Sequence, residues 1–139
     1  MTEENIKDRY QGLKFTIIHC NEALDSYQKA LSRVEARRRK SFTQRMIQQI
    51  KRLADGNRMS KENFPQEGDL PKTHNRQKPK KFNALKRIPI RGYCWKSEKH
   101  KNTYFISHYV YKNYDKLDEK DTKKVGDNWK RIEENNDER

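Results

Sequence analysis

The sequence predicts an α+β domain, with two N-terminal helices packed on a small antiparallel β-sheet and a C-terminal helix, in the order β-α-α-β-β-β-α. Three observations carry the prediction. Two apolar stripes at helical spacing fall between residues 22 and 56, and three β-rich runs crowd between 81 and 111. A polar segment with widely spaced apolar anchors then closes the chain.

Lys14-Phe-Thr-Ile-Ile-His-Cys20 is short and β-branched, and reads as the first strand. Asn21 suits the N-cap of a helix over 22–40, on which Leu24, Tyr27, Leu31 and Val34 form one stripe. Its end at Arg37-Arg-Arg-Lys40 places cations where the helix dipole favours them. Ser41 is the expected cap of a second helix, with Phe42, Met46, Ile47, Ile50, Leu53 and Ala54 on one face and Gly56 as terminator.

Segment 57–80 holds three of the four prolines and almost no apolar residues, and reads as a long polar loop. Strands are expected at 81–88, at 90–96 beyond Pro89, and at 103–111, the strongest strand signal in the chain. A polar helix is expected from Asp115 to Glu134, anchored by Leu117, Val125, Trp129 and Ile132. Residues 1–12 and 135–139 read as polar tails flanking one domain at 13–134, which fits a chain of 139 residues.

Composition narrows the function. Hydrophobic residues make up 31% and charged residues 38%, with mean hydropathy −1.42, so the core is modest. The 10% aromatic content argues against wholesale disorder. Net charge is +13, and Lys72–Lys101 carries eleven Lys or Arg against one acid, a local charge of +10. A polyanion is the expected partner. Cys20 and Cys94 stand far apart with no zinc-ligand spacing, so both are expected as buried hydrophobes and no metal or other cofactor is implied. The first residues lack a secretory leader, and no run has membrane-spanning length, so a cytoplasmic chain without membrane contact is expected.

The C-terminal half also carries a recurrent order of motifs: Leu85-Lys-Arg-Ile88, then Arg91-Gly-Tyr-Cys-Trp95, then Tyr104-Phe-Ile-Ser-His-Tyr-Val-Tyr-Lys112, then Asn113-Tyr-Asp-Lys-Leu-Asp118 before a Lys/Glu-rich helix. In this it resembles the RelE/HigB superfamily of toxins from bacterial toxin–antitoxin pairs, and within it the phage-derived host-inhibition proteins. The resemblance covers roughly 14–134 and is best between 82 and 125. Asn113 stands where the family has a second lysine, and Leu117-Asp118 where it has Thr-Pro.

The resemblance implies the toxin of a type II pair, a metal-independent, ribosome-dependent mRNA endonuclease, with mRNA, the ribosome and a cognate antitoxin as partners. Such cleavage needs a group to take the 2′-OH proton and cations to stabilise the phosphorane-like transition state. Arg87 and Arg91 are the expected electrostatic residues, because guanidinium forks onto two phosphate oxygens. His108 is either an acid–base group or a core histidine, since it alternates with Ile106 and Val110. Lys112 is either a phosphate ligand or an edge-strand lysine. RNA contacts are expected from Lys78, Lys80, Lys81 and Lys86, the last on the sheet face opposite Arg87. Tyr109 and Tyr111, placed on one face with Phe105, either stack on bases or pack in the core. The rival readings are a non-catalytic nucleic-acid-binding module of the same fold and an adaptor for an acidic protein.

Overall fold

A computed structural model describes residues 5–73, 78–112, 116–137 and 139. Strands come first: β1 (Arg9–Gln11) and β2 (Thr16–His19) precede α1 (Ala23–Leu31). A 3-10 turn at Ala36–Arg38 runs into α2 (Arg39–Ala54), followed by β3 (Gln66–Asp69), β4 (Lys81–Arg87), β5 (Ile90–Lys96) and β6 (Thr103–Tyr111). The chain ends in α3 (Glu119–Trp129), continued by a π-helical turn at Lys130–Glu134.

The strands form one six-stranded sheet in the order β1-β2-β6-β5-β4-β3. β2 and β6 are parallel, and every other neighbouring pair is antiparallel. The class is α+β, but the expected architecture is overturned. The sheet is mixed and six-stranded rather than small and antiparallel, and two strands precede the first helix. The two unforeseen strands are β1, within the segment read as a polar tail, and β3, within the segment read as a loop. Both are short edge strands, and edges need few apolar residues. Arg9-Tyr-Gln and Gln66-Glu-Gly-Asp therefore lack the β-branched run that marks an interior strand.

The helix boundaries also move. α1 stops at Leu31, and the Arg37–Lys40 run opens α2 instead of closing α1. Glu22, with a left-handed φ of 71°, replaces Asn21 as the residue before α1, and Ser41 lies inside α2. Gly56 does terminate α2, at φ 78°, with its N–H donated to the Leu53 carbonyl. The expected C-terminal helix begins at Glu119; its proposed start at Asp115, the motif residues 113–115 and Arg76 of the basic run lie outside the described residues.

Helices cover both faces of the sheet. On one, Tyr27 of α1 and Met46, Ile47 and Ile50 of α2 pack on Ile17, Leu85, Ile90, Ile106 and Tyr109. On the other, Val125 and Trp129 of α3, with Ile132, pack on Phe82, Tyr93, Trp95 and Phe105. Glu133 fastens the chain end: its carboxylate accepts from the Ser97 hydroxyl and from the Glu98 N–H in the β5–β6 turn. Both cysteines are buried and free, as expected of small hydrophobes.

Candidate nucleic-acid interface

One face of α2 is apolar and packs on the sheet. Its outer flank repeats polar residues at helical spacing, Arg38, Ser41, Arg45, Gln48 and Arg52. Arginines at Arg37 and Arg38 oppose the local field, since a helix N-terminus carries partial positive charge and cations there cost about 0.3–1 kcal/mol. A local rule broken at one place is expected where function demands it.

Those arginines border a groove. Its outer wall is α2, its inner wall is the β4–β5 hairpin, and its cavity volume is about 650 Å³. Arg37, Arg38, Ser41, Phe42 and Arg45 face Arg87 and Ile88 across it, with Lys86, Glu62 and Asn63 also at its border. A second hollow of about 250 Å³ continues past Arg45 and Arg87 to Arg52, Arg58 and Met59. Six arginines thus border the two hollows against one acid, Glu62. Arg37 pairs with Glu35 at 3.1 Å, whereas Arg38, Arg45, Arg52, Arg58 and Arg87 make no ion pair among the described residues. A concave surface with cations of one sign concentrates a polyanion.

The sheet's other face holds a different set of charges, closed under α3. Arg91, 1% exposed, pairs with the Glu67 carboxylate at 3.5 Å. His108 Nε2 lies 2.9 Å from Asp121 Oδ1 on α3, and its Nδ1 lies 2.8 Å from Ser107 Oγ. Asn128 donates to the same Ser107 oxygen, and Arg131 donates to Asn128 Oδ1, both at 2.8 Å. The Nε2–H tautomer satisfies both histidine contacts. A bulge makes this network possible. Tyr93 faces His108 and Cys94 faces Ile106, so Ser107 has no cross-strand partner and turns towards α3 beside His108. The residue types are those of a hydrolase triad, but Ser107 and His108 are buried, and only Asp121 borders a hollow, of about 250 Å³, beside Lys112. They fasten α3 to the sheet.

The bulge also corrects the facing of β6. Phe105 shares the α3 face with His108, while Ile106 and Tyr109 share the other. Tyr109 belongs to the core: its hydroxyl lies 2.7 Å from His19 Nε2, and its ring meets Tyr27 edge-on. Burial raises its hydroxyl pKa well above the usual value. Burial also holds His19 down at about 4, with Nδ1 bonded to the Asp8 carbonyl. Tyr111 is half-buried, and the Arg33 guanidinium lies over its ring at 4.3 Å.

The expected catalytic residues are therefore not assembled in one open site. Arg87 lies in the groove, whereas Arg91, His108 and Lys112 are buried on or beside the α3 face. The expected lysine contacts divide as well. Lys81 pairs with Asp69 at 2.8 Å, Lys80 pairs with Glu98, and Lys78 is exposed, all away from the groove, which Lys86 borders. The groove residues that sequence reasoning missed are those of α2, together with Arg58 and Glu62. The signal lies in the polar stripe from Arg38 to Arg52, which reads as one helix flank only when the Arg37–Lys40 run opens α2. Among the described residues no group of His, Cys, Asp or Glu is placed to hold a metal ion, and no helix is long and apolar enough to cross a membrane. No protein-family model, curated protein or solved structure matches the chain.

Proposed function

We propose that the protein binds RNA in the groove between α2 and the β4–β5 hairpin and, in keeping with its toxin-like motif order, acts on translated mRNA in the cytoplasm until a cognate antitoxin covers that groove. The observation that carries the reading is the set of six arginines against one acid along a concave surface. Arginine suits phosphate because its fork makes two charge-assisted hydrogen bonds at once. Binding of this kind weakens linearly in log affinity against log salt, by about 0.7 per phosphate neutralised on a single strand.

The test is RNA affinity across a salt series for the wild type and for Arg45→Gln with Arg87→Gln. A steep slope that flattens in the variant supports the groove; an unchanged slope and affinity remove it. Growth on unopposed expression tests the toxin half of the reading, and normal growth with undisturbed translation refutes that half alone.

A cleaving activity is the second reading, and one observation favours it. The Glu62 carboxylate borders the same cleft as Arg38, Arg45 and Arg87, so a proton acceptor and phosphate-stabilising cations share one site without a metal. Primer extension on mRNA from induced cells checks it. New 5′ ends within coding regions that vanish in Glu62→Gln support cleavage; arrest without such ends leaves a binding protein.

A further inference from the structure

The two walls of the groove differ in kind. The α2 wall presents guanidinium groups, whereas the hairpin wall ends in Ile88, 52% exposed and next to Arg87 at the groove's lip. Among the described residues the other exposed large hydrophobic is Leu13, which does not border the groove. The hairpin tip is Ile88-Pro89, and a turn set by its proline does not require an isoleucine before it. Phosphate binding does not call for one either. An apolar side chain held in water beside a row of cations fits a ligand that is anionic along one edge and flat and apolar along the other.

A polynucleotide has those two edges, and the groove discriminates between its forms. The bases of an A-form duplex are stacked inside and its major groove is too narrow for side chains, whereas an unpaired strand can splay a base outward. A cavity of about 650 Å³ is the size that a small molecule or a few nucleotides fill. From Arg38 to Arg52 the α2 wall runs about 21 Å.

We infer that the groove takes a single strand of RNA, with its phosphates along the α2 arginines and a base laid against Ile88. The inference rests on the RNA-binding reading of the groove and adds to it the strand form and the base-contacting residue. Arginine contacts set affinity and salt dependence without distinguishing bases. Ile88 contributes a contact that salt does not screen and that paired bases cannot make.

The experiment measures fluorescence anisotropy of the full chain with a labelled RNA of about eight nucleotides, and with a duplex of the same sequence, across a salt series. Wild type is expected to bind the single strand about tenfold more tightly than the duplex. Ile88→Ser is expected to lose about tenfold on the single strand, the order of burying one half-exposed aliphatic side chain, with an unchanged salt slope and unchanged duplex binding. Arg45→Gln with Arg87→Gln is expected to weaken both ligands and flatten both slopes. Each variant's thermal melt is compared with wild type, and Ile88, being exposed, is expected to leave it unmoved. Equal binding of single strand and duplex, or wild-type affinity in Ile88→Ser, overturns the inference while leaving the groove intact. Wild-type binding by the arginine double variant overturns the groove reading itself.

Discussion

The sheet separates two populations of charge that the sequence interleaves. On the α2 face Arg87 and the arginines of the helix stand in water, and five of the six groove arginines make no ion pair among the described residues. On the α3 face Arg91 and His108 are each matched to a carboxylate and covered. Arg87 and Arg91 stand four residues apart, yet the first borders the groove and the second is buried against Glu67. The difference shows that a basic residue's surroundings, more than its place in a charge run, decide whether it stays open to a ligand or is closed into the fold. An exposed guanidinium pays no desolvation until a phosphate arrives, whereas a buried one needs its partner in order to fold at all.

The largest expected effect breaks the architectural side. Arg91→Ala removes one partner of the buried pair with Glu67, and such a loss costs about 3–5 kcal/mol. Urea denaturation followed by circular dichroism measures it. If Arg91→Ala melts like wild type, the pair contributes nothing and Arg91 returns as a candidate for RNA contact.

The next test falls on the recognition side. Two charge-assisted hydrogen bonds at about 1.5 kcal/mol each correspond to roughly 100-fold in affinity. Arg45→Glu with Arg87→Glu should weaken single-stranded RNA binding by at least that factor while leaving the melt within about 0.5 kcal/mol, since neither residue pairs in the fold. A matching loss of stability would move these arginines to the architectural class.

How much of this was legible depends on what each signal reports. Strand runs at 81–88, 90–96 and 103–111 and the apolar faces of both helices were readable, because periodicity records burial. β1 and β3 were not, because an edge strand is held by backbone bonds that any sequence can make. The facing of Ser107, His108 and Tyr109 was hidden by a bulge, an event of one residue that reverses every later side chain. The groove was half legible: Arg87 was named from its strand, but its partners on α2 come from 35 to 50 residues earlier, and only the packed hairpin of strands and helix brings them together.

A third test concerns His19, which serves the frame that both faces share. Its folded pKa, about 4, lies below the ordinary value of 6.5, because burial disfavours the charged ring. The unfolded chain therefore binds the proton more readily between those values. Stability is full above pH 6.5, falls as the pH drops towards 4, and loses no more below that. From pH 6.5 to 5 the loss is about 1.5 kcal/mol, the slope rising towards 1.36 kcal/mol per pH unit as the unfolded ring takes up its proton. Urea midpoints for wild type and His19→Gln should show a slope in the first that flattens in the second. Parallel slopes would assign the acid sensitivity elsewhere.

The smallest effect sharpens the comparison most, because it concerns charge that composition alone would rank first. Lys80 and Lys81 lie in the densest basic run, yet each already has a carboxylate, Glu98 and Asp69, and all four side chains are exposed. Lys81 opens β4 and Arg87 ends it, six residues further on, which at strand rise separates them by about 20 Å. That distance is twice the Debye length of about 8–10 Å near physiological salt, so charge at one end is largely screened from a ligand at the other. Exposed pairs of this kind are worth about 0–1 kcal/mol. Lys80→Ala with Lys81→Ala should therefore change RNA affinity less than about twofold at physiological salt and barely move the melt. At low salt, as the screening length grows towards 30 Å, the same variant should begin to lose affinity. A large loss at physiological salt would extend the RNA path along β4 to the far end of the sheet and make the groove one part of a longer track.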